Sequence, residues 1–166
     1  NTKQVWENIL RDDYDNWDVP ILQEEYNAYK QDNPLPYKEL IFPDVFKVLN
    51  EVNSRGLKIG LASSSVKADI LRALEENHLN GFFDVVLSGE EFKESKPNPE
   101  IYLTALQHLN VEANQALIIE DSEKGIAAGV AAGVEVWAIK DNRFGMDQGA
   151  AKGLLDNLMD VLDLLK

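Results

Sequence analysis

The sequence contains no cysteine, and only two of its 166 residues are histidine. Disulfide bonds, a thiol nucleophile and a thiolate metal site are therefore excluded within it. Basic residues are also scarce, because 16 lysine and arginine residues stand against 29 aspartate and glutamate residues, giving a net charge of −13. Nucleic acids and anionic membranes bind basic surfaces, so neither is expected as a partner.

Long apolar runs are absent as well. No stretch of the sequence is long and apolar enough to span a bilayer, and the N-terminus lacks the pattern of a signal peptide. The absence of cysteine is compatible with a reducing compartment. We therefore expect a cytoplasmic protein.

The pattern of apolar residues divides the chain near residue 38. Residues 1–33 show the amphipathic spacing of helices, which the segment Asn33-Pro34-Leu35-Pro36 interrupts. From residue 39 onward, short apolar runs alternate with segments of helical periodicity, which is typical of a parallel sheet with helices on both faces. We expect an α/β protein with a small helical part at 1–38 and a larger core at 39–166.

The most informative stretch is 116–138, which predicts a strand, an acidic turn, a helix and a second strand. Glu120 and Asp121 form the acidic turn. The predicted helix contains glycines four residues apart, at Gly125, Gly129 and Gly133. Because glycine lowers helix propensity, we expect this face of the helix to approach the sheet closely.

Three sets of polar residues occur at strand ends or in a rigid loop. Ser63 follows a predicted strand, Lys96 lies in a loop stiffened by proline, and Glu120 with Asp121 follows another strand. The carboxyl ends of parallel strands share one edge of a sheet, where hydroxyl, amide and ammonium groups bind a phosphoryl group and carboxylates bind Mg²⁺. Taken singly, each set is better explained as a helix cap or a solvated side chain. Their order and spacing together favour a phosphoryl site.

Three segments resemble the second, third and fourth motifs of the haloacid dehalogenase superfamily, in its β-phosphoglucomutase-like branch of phosphatases and phosphomutases. They are LKIGLASSS at 57–65, SKPNPEIY at 95–102 and IIEDSEKGIAAGVAAG at 118–133. The resemblance covers roughly residues 40–160. It implies a Rossmann-like core, with the N-terminal helices as part of a helical cap.

The resemblance also implies roles for individual residues. Ser63 and Lys96 would be catalytic, Ser63 by hydrogen bonding the transferring phosphoryl group and Lys96 by stabilising that group and the nucleophile. Glu120 and Asp121 would hold the cofactor Mg²⁺. Phosphate binding would involve these two catalytic residues together with Ser64, Ser65 and Lys67.

The first motif of the superfamily, an apolar strand that ends in Asp-x-Asp and supplies the nucleophile, has no clear counterpart. Asp13-Tyr14-Asp15 has the spacing, but the charged end of a predicted helix precedes it, so we interpret it as a solvated loop. We therefore expect the nucleophile segment and the first central strand to be absent from this chain. A gap should separate the strands that end at Ser63 and Glu120, and the chain alone should be inactive.

The implied function is that of a Mg²⁺-dependent phosphatase or phosphomutase acting on a small phosphorylated metabolite, a sugar phosphate being favoured, through an aspartyl-phosphate intermediate. A non-catalytic binding or regulatory descendant of the same fold is the alternative. A nucleotide-binding domain is disfavoured because the glycines lie within a helix rather than in a G-x-G-x-x-G turn. A serine hydrolase is disfavoured because Ser64 lacks a G-x-S-x-G elbow. The motifs do not distinguish a mutase from a phosphatase, and they do not determine the oligomeric state.

Overall fold

The computed structural model describes residues 2–165. Asn1 and Lys166, the first residue of the expected cap and the last of the expected core, lie outside the described residues. The chain divides into two compact units, Asn1–Glu39 and Leu40–Lys166. None of the helices between residues 2 and 165 combines the length and the apolar character needed to cross a membrane.

The first unit is built from two helices, α1 at Thr2–Leu10 and α2 at Val19–Asp32, joined by a 3₁₀ turn at Arg11–Asn16. The Asp18 carboxylate caps α2 by accepting a hydrogen bond from the Ile21 N–H at 3.2 Å. Trp6 joins the two helices: its indole N–H donates to Gln23 Oε1 at 2.8 Å, and its ring meets Tyr26 edge to face. A short helix, α3 at Tyr37–Leu40, follows.

The second unit alternates strands with helices, as the apolar pattern predicted. Its helices are α4 at Val45–Ser54, α5 at Lys67–Glu76, α6 at Glu100–Leu109, α7 at Glu123–Ala131 and α8 at Val161–Leu164. Its strands are β1 at Gly60–Ser63, β2 at Val85–Ser88, β3 at Leu117–Glu120, β4 at Glu135–Ile139 and β5 at Gly153–Leu155.

All strand pairs in the described residues are parallel, and they form two sheets. β1 pairs with β2, and β3 pairs with β4, which in turn pairs with β5. Side chains alternate across the first sheet: Leu61 packs with the cluster that contains Ile70 of α5, whereas Leu87 packs with Ile101 of α6. Helices therefore cover both faces, and the expected Rossmann-like α/β fold is confirmed.

Helix α7 lies close against the second sheet. A Cβ on Gly129 would come within 2.6 Å of Val136 Cγ2 and 3.1 Å of Ile118 Cδ1, so a larger residue there would push the helix off the strands. This close approach confirms the reason we expected for a glycine in the helix. Gly133 has a different role, since α7 ends at Ala131 and Gly133 adopts a φ of +75°, which favours glycine after a helix end.

Candidate active site

Lys96 brings the ends of the two sheets together. Its ammonium donates to the Ala62 carbonyl on β1 at 3.1 Å, to the Tyr102 hydroxyl at 2.8 Å and to Glu120 Oε1 on β3 at 2.6 Å. The three donors of an ammonium group are thus all used. The side chains of Lys96 and Glu120 are only 7% and 10% exposed, so this is a buried ion pair.

The Glu120 carboxylate is held on both oxygens. Oε1 accepts from Lys96 and from the Tyr102 hydroxyl, the latter at 2.6 Å. Oε2 accepts from the backbone N–H groups of Asp121 and Ser122 at 3.0 and 3.2 Å, and from the Ser122 hydroxyl at 3.1 Å. The carboxylate therefore lies against the first turn of α7, where the N–H dipoles favour an anion.

Gly125 makes room for this arrangement. A Cβ at this position would overlap the Glu120 carboxylate, so only glycine lets the side chain fold back onto the helix. Ser122, the N-cap of α7, accepts a hydrogen bond from the Gly125 N–H at 3.1 Å and donates to Glu120. The cap, the glycine and the carboxylate therefore form one local unit.

The two neighbouring carboxylates have opposite pKa shifts. Burial would raise the pKa of Glu120, but the adjacent Lys96 ammonium and the hydrogen bonds from Lys96 and Tyr102 outweigh it and lower that pKa. Burial and the charge of Glu120 raise the pKa of Asp121. Burial and Glu120 also raise the pKa of the Tyr102 hydroxyl, which keeps it a proton donor.

Asp121 differs from Glu120 in having an open carboxylate: among the side chains that the structure describes, none donates a hydrogen bond to it. Its backbone carbonyl is fixed instead, because it accepts a hydrogen bond from the Gln148 carboxamide at 2.8 Å. Asp121 lines a depression of about 330 Å³ together with Asp141 and Arg143, whose guanidinium pairs with Asp141 at 3.0 Å. The predicted acidic pair thus contains one saturated and one accessible carboxylate.

Hydrogen bonds within the turn and from the end of β2 hold the loop after β1. The Ser63 hydroxyl accepts a hydrogen bond from the Ser65 N–H at 3.1 Å, which tightens the turn. The Ser65 carbonyl accepts from the Ser88 hydroxyl at 2.7 Å, and Ser88 is fully buried at the end of β2. Ser64 and Ser65 are exposed, and a Cβ on Gly89 would come within 3.2 Å of Ser64 Cα.

Lys67, the first residue of α5, is engaged away from the serine hydroxyls. Its ammonium donates to the Val86 carbonyl at 2.6 Å and to both Glu91 oxygens at 3.3 Å. Glu91 in turn accepts from the Ser88 N–H at 2.6 Å, a hydrogen bond that lowers the pKa of Glu91. In this arrangement Lys67 stabilises the turn at the end of β2, and its role as a phosphate ligand stays a prediction.

The Asp13-Tyr14-Asp15 spacing lies in the first unit, on the 3₁₀ turn after α1. Both aspartates are exposed, and Asp13 Oδ1 accepts a weak hydrogen bond from the Asn16 carboxamide at 3.3 Å. A helix rather than a buried strand precedes them. These are the features of a solvated turn.

The sequence pattern did not indicate three residues that organise this site: Tyr102, Ser88 and Gln148. Tyr102 lies in the quoted SKPNPEIY segment, so its position six residues after Lys96, in the first turn of α6, was an available signal. Ser88 ends β2 as Ser63 ends β1. Gln148 lies in a loop without periodicity, and no sequence signal marks it.

These features define the class of protein: a parallel α/β core with hydroxyl, ammonium and carboxylate groups at the carboxyl ends of its strands. Residues 1–139 match the sequence profile of the haloacid dehalogenase-like hydrolases. The chain belongs to this family, and the resemblance read from its three motifs is confirmed.

Known proteins similar to this chain include phosphatases and a phosphomutase. A phosphorylated carbohydrates phosphatase of Thermotoga maritima is 34% identical over 129 residues, which are 75% of this chain and 59% of that protein. The pyrophosphatase PpaX of Bacillus thuringiensis is 26% identical over 162 residues, 94% of this chain and 74% of its own. The crystal structure of β-phosphoglucomutase from Clostridium difficile superposes with a TM-score of 0.78 at 23% identity, covering 98% of this chain and 76% of that one. The chain thus spans somewhat over half the length of the Thermotoga protein, and the last likeness shows the fold alone.

Proposed function

We propose that this chain carries the phosphoryl-binding and cation-binding part of a phosphatase or phosphomutase that acts on a small phosphorylated carbohydrate. The observation that carries the proposal is the position of Lys96, whose buried ammonium contacts both the end of β1 beside Ser63 and the acidic end of β3. The Thermotoga relative is 34% identical to this chain over the matched residues, and its name supports a carbohydrate phosphate as substrate.

In this proposal the phosphoryl oxygens lie between the Ser63 loop and Lys96. The hydroxyl groups of Ser63, Ser64 and Ser65 donate hydrogen bonds to them, and the Lys96 ammonium offsets their negative charge. Tyr102 and Glu120 keep that ammonium in place. The sequence-based assignment of Ser63, Ser64, Ser65 and Lys96 to phosphate binding is retained.

The donor set fits magnesium. Mg²⁺ binds through one or two carboxylates together with water and phosphate oxygens, and its ligands are hard oxygen atoms. Asp121 has an open carboxylate and would be the direct ligand, with Glu120 beside it oriented by its five hydrogen bonds. No cluster of three or more acidic or histidine side chains suited to a metal occurs within residues 2–165, so substrate, water or other protein oxygens would complete the shell. When bound, Mg²⁺ would offset charge on the transferring phosphoryl group.

The nucleophile in this proposal is an aspartate that lies outside residues 1–166. β1 and β3 each have a single strand partner within the described residues, and their sheets share no ladder. A strand inserted between them would pair with both and bring its carboxyl end next to Lys96. The aspartate would attack phosphorus to give an aspartyl-phosphate with loss of the alcohol, and water or a sugar hydroxyl would then take the phosphoryl group.

The test is Mg²⁺-dependent release of phosphate from an aryl phosphate, first by residues 1–166 of verified mass and then with the upstream reading frame restored. We expect no release from the first protein, clear release from the second, and loss of that release in Asp121→Ala. Release by residues 1–166 alone would place the nucleophile within them and contradict this account. No release from the extended protein would favour the non-catalytic alternative.

A further inference from the structure

Gln148 is buried to 9% exposure in a loop whose other residues contribute little to the core. Both N–H groups and the oxygen of its carboxamide form hydrogen bonds with neighbouring backbone groups. The two N–H groups donate to the Asp121 and Ile139 carbonyls, both at 2.8 Å, and the oxygen accepts from the Asp141 N–H at 3.3 Å. One side chain therefore joins the backbone just beyond β3 to the backbone at the end of β4.

This contact acts on the residue with the accessible carboxylate. The Asp121 N–H donates a hydrogen bond to Glu120 Oε2, and the Asp121 carbonyl accepts one from Gln148. Both backbone polar groups of Asp121 are therefore held. With both backbone groups held, the direction in which Cβ of Asp121 points is set. The Asp121 carboxylate itself has no side-chain donor within the described residues to orient it.

We infer that Gln148 is a positioning residue for the cation site, which holds the backbone of Asp121 so that its carboxylate is directed toward a divalent cation. This inference rests on the proposed function, since it assumes that Asp121 is a cation ligand. Groups that orient a metal ligand without touching the metal commonly change its affinity by about ten- to a hundredfold when replaced. The same loop supplies Asp141 and Arg143, so Gln148 also fixes one wall of the depression that contains Asp121.

The variant that isolates this contact is Gln148→Met, which keeps the length and volume of the side chain and removes its hydrogen bonds. Gln115→Met is the control for the same substitution at an exposed position. Gln115 accepts a hydrogen bond from a backbone N–H, that of Glu112 at 3.0 Å, but it lies before the opposite end of β3. Asp121→Asn reports on the cation ligand itself.

The measurement is broadening of backbone amide signals around Asp121 by Mn²⁺, with Mg²⁺ as competitor, in ¹⁵N-labelled residues 1–166. This readout does not require catalysis and detects weak binding. We expect Gln148→Met to need about ten- to a hundredfold more Mn²⁺ for equal broadening, and Gln115→Met to match the unchanged protein. Retained binding in Gln148→Met, with loss in Asp121→Asn, would overturn the positioning role alone. Binding unaffected by Asp121→Asn, or absent from the unchanged protein, would overturn the cation site and this inference together.

A second measurement needs no variant and decides the matter if Gln148→Met does not fold. Because coupling between two events is reciprocal, a cation that binds the oriented Asp121 also stabilises the Gln148 contact. Saturating Mg²⁺ should therefore slow hydrogen exchange of the Gln148 carboxamide by about fivefold or more. An exchange rate that Mg²⁺ leaves unchanged would contradict the inference.

Discussion

Replacing Lys96 with methionine should destabilise the protein strongly, quite apart from any effect on activity. Methionine keeps the apolar stem but removes the ammonium, which leaves the Glu120 carboxylate, 10% exposed, without its cation. Breaking a buried ion pair by removing one partner costs about 3–5 kcal/mol. Since small domains are stable by only about 5–15 kcal/mol, the midpoint of urea unfolding should fall markedly.

A double-mutant cycle separates the ion pair from other effects of the substitution. Glu120→Gln removes the other charge, and in Lys96→Met/Glu120→Gln no unpaired charge is left buried. We expect the double variant to lose about 1–3 kcal/mol less than the sum of the two single variants. Urea unfolding at neutral pH, followed by circular dichroism, gives the free energy of unfolding of all four proteins.

The control is an exposed ion pair of the same chemistry. Lys152 pairs with Glu135 on the surface, where the two side chains are 59% and 42% exposed. Lys152→Met should leave the unfolding midpoint within the error of measurement, because solvent already screens that pair. If Lys96→Met behaves like Lys152→Met, or if the Lys96 and Glu120 substitutions are additive within about 0.5 kcal/mol, the reasoning from burial is refuted.

Three further outcomes follow from the same cluster. Folding lowers the pKa of Glu120, so this carboxylate stabilises the protein above its ordinary pKa of 4.5 and loses that contribution as the pH falls below 4.5. The free energy of unfolding should therefore decrease more steeply with acid in the unchanged protein than in Glu120→Gln. Gly125→Ala places a Cβ on the Glu120 carboxylate and should cost about 1–3 kcal/mol, whereas Gly81→Ala, which meets nothing within 4 Å, serves as its control in thermal unfolding. Tyr102→Phe removes the hydroxyl that donates to Glu120 and accepts from Lys96, and it should cost about 1–3 kcal/mol in the same assay. An unchanged unfolding midpoint would show that water replaces these two hydrogen bonds.

Much of the fold follows from local patterns in the sequence. Short apolar runs marked the strands, and Ser63 and Glu120 were expected at their ends because side chains that follow parallel strands meet at one edge of a sheet. Gly129 was expected to allow a close approach of helix and sheet, and it does. In each case the pattern that carries the prediction lies within a short stretch of the sequence.

The division of roles within the site was not predictable in the same way. Glu120 and Asp121 are adjacent acids in the sequence, and Glu120 is saturated because Tyr102, eighteen residues away, and Lys96 donate to it in addition to its neighbours in the chain. Lys67 has a local spacing suited to a phosphate site, but Glu91, from a different loop, accepts its ammonium. Gln148 reaches Asp121 across 27 residues. Such contacts depend on tertiary packing, which no periodicity encodes.

Within the described residues no ladder joins the two sheets, and this has a consequence for how the protein unfolds. Because backbone hydrogen bonds make a sheet open as a unit, we expect β1 with β2, and β3 with β4 and β5, to be separate units of protection against amide exchange. Helix α6 and the Lys96 ammonium connect the two sheets, through Ile101 and Tyr102 in the shared apolar cluster and through Glu120. Partial opening of the molecule would therefore begin by separating the serine loop from the acidic turn, and whatever binds both would raise the barrier to that opening.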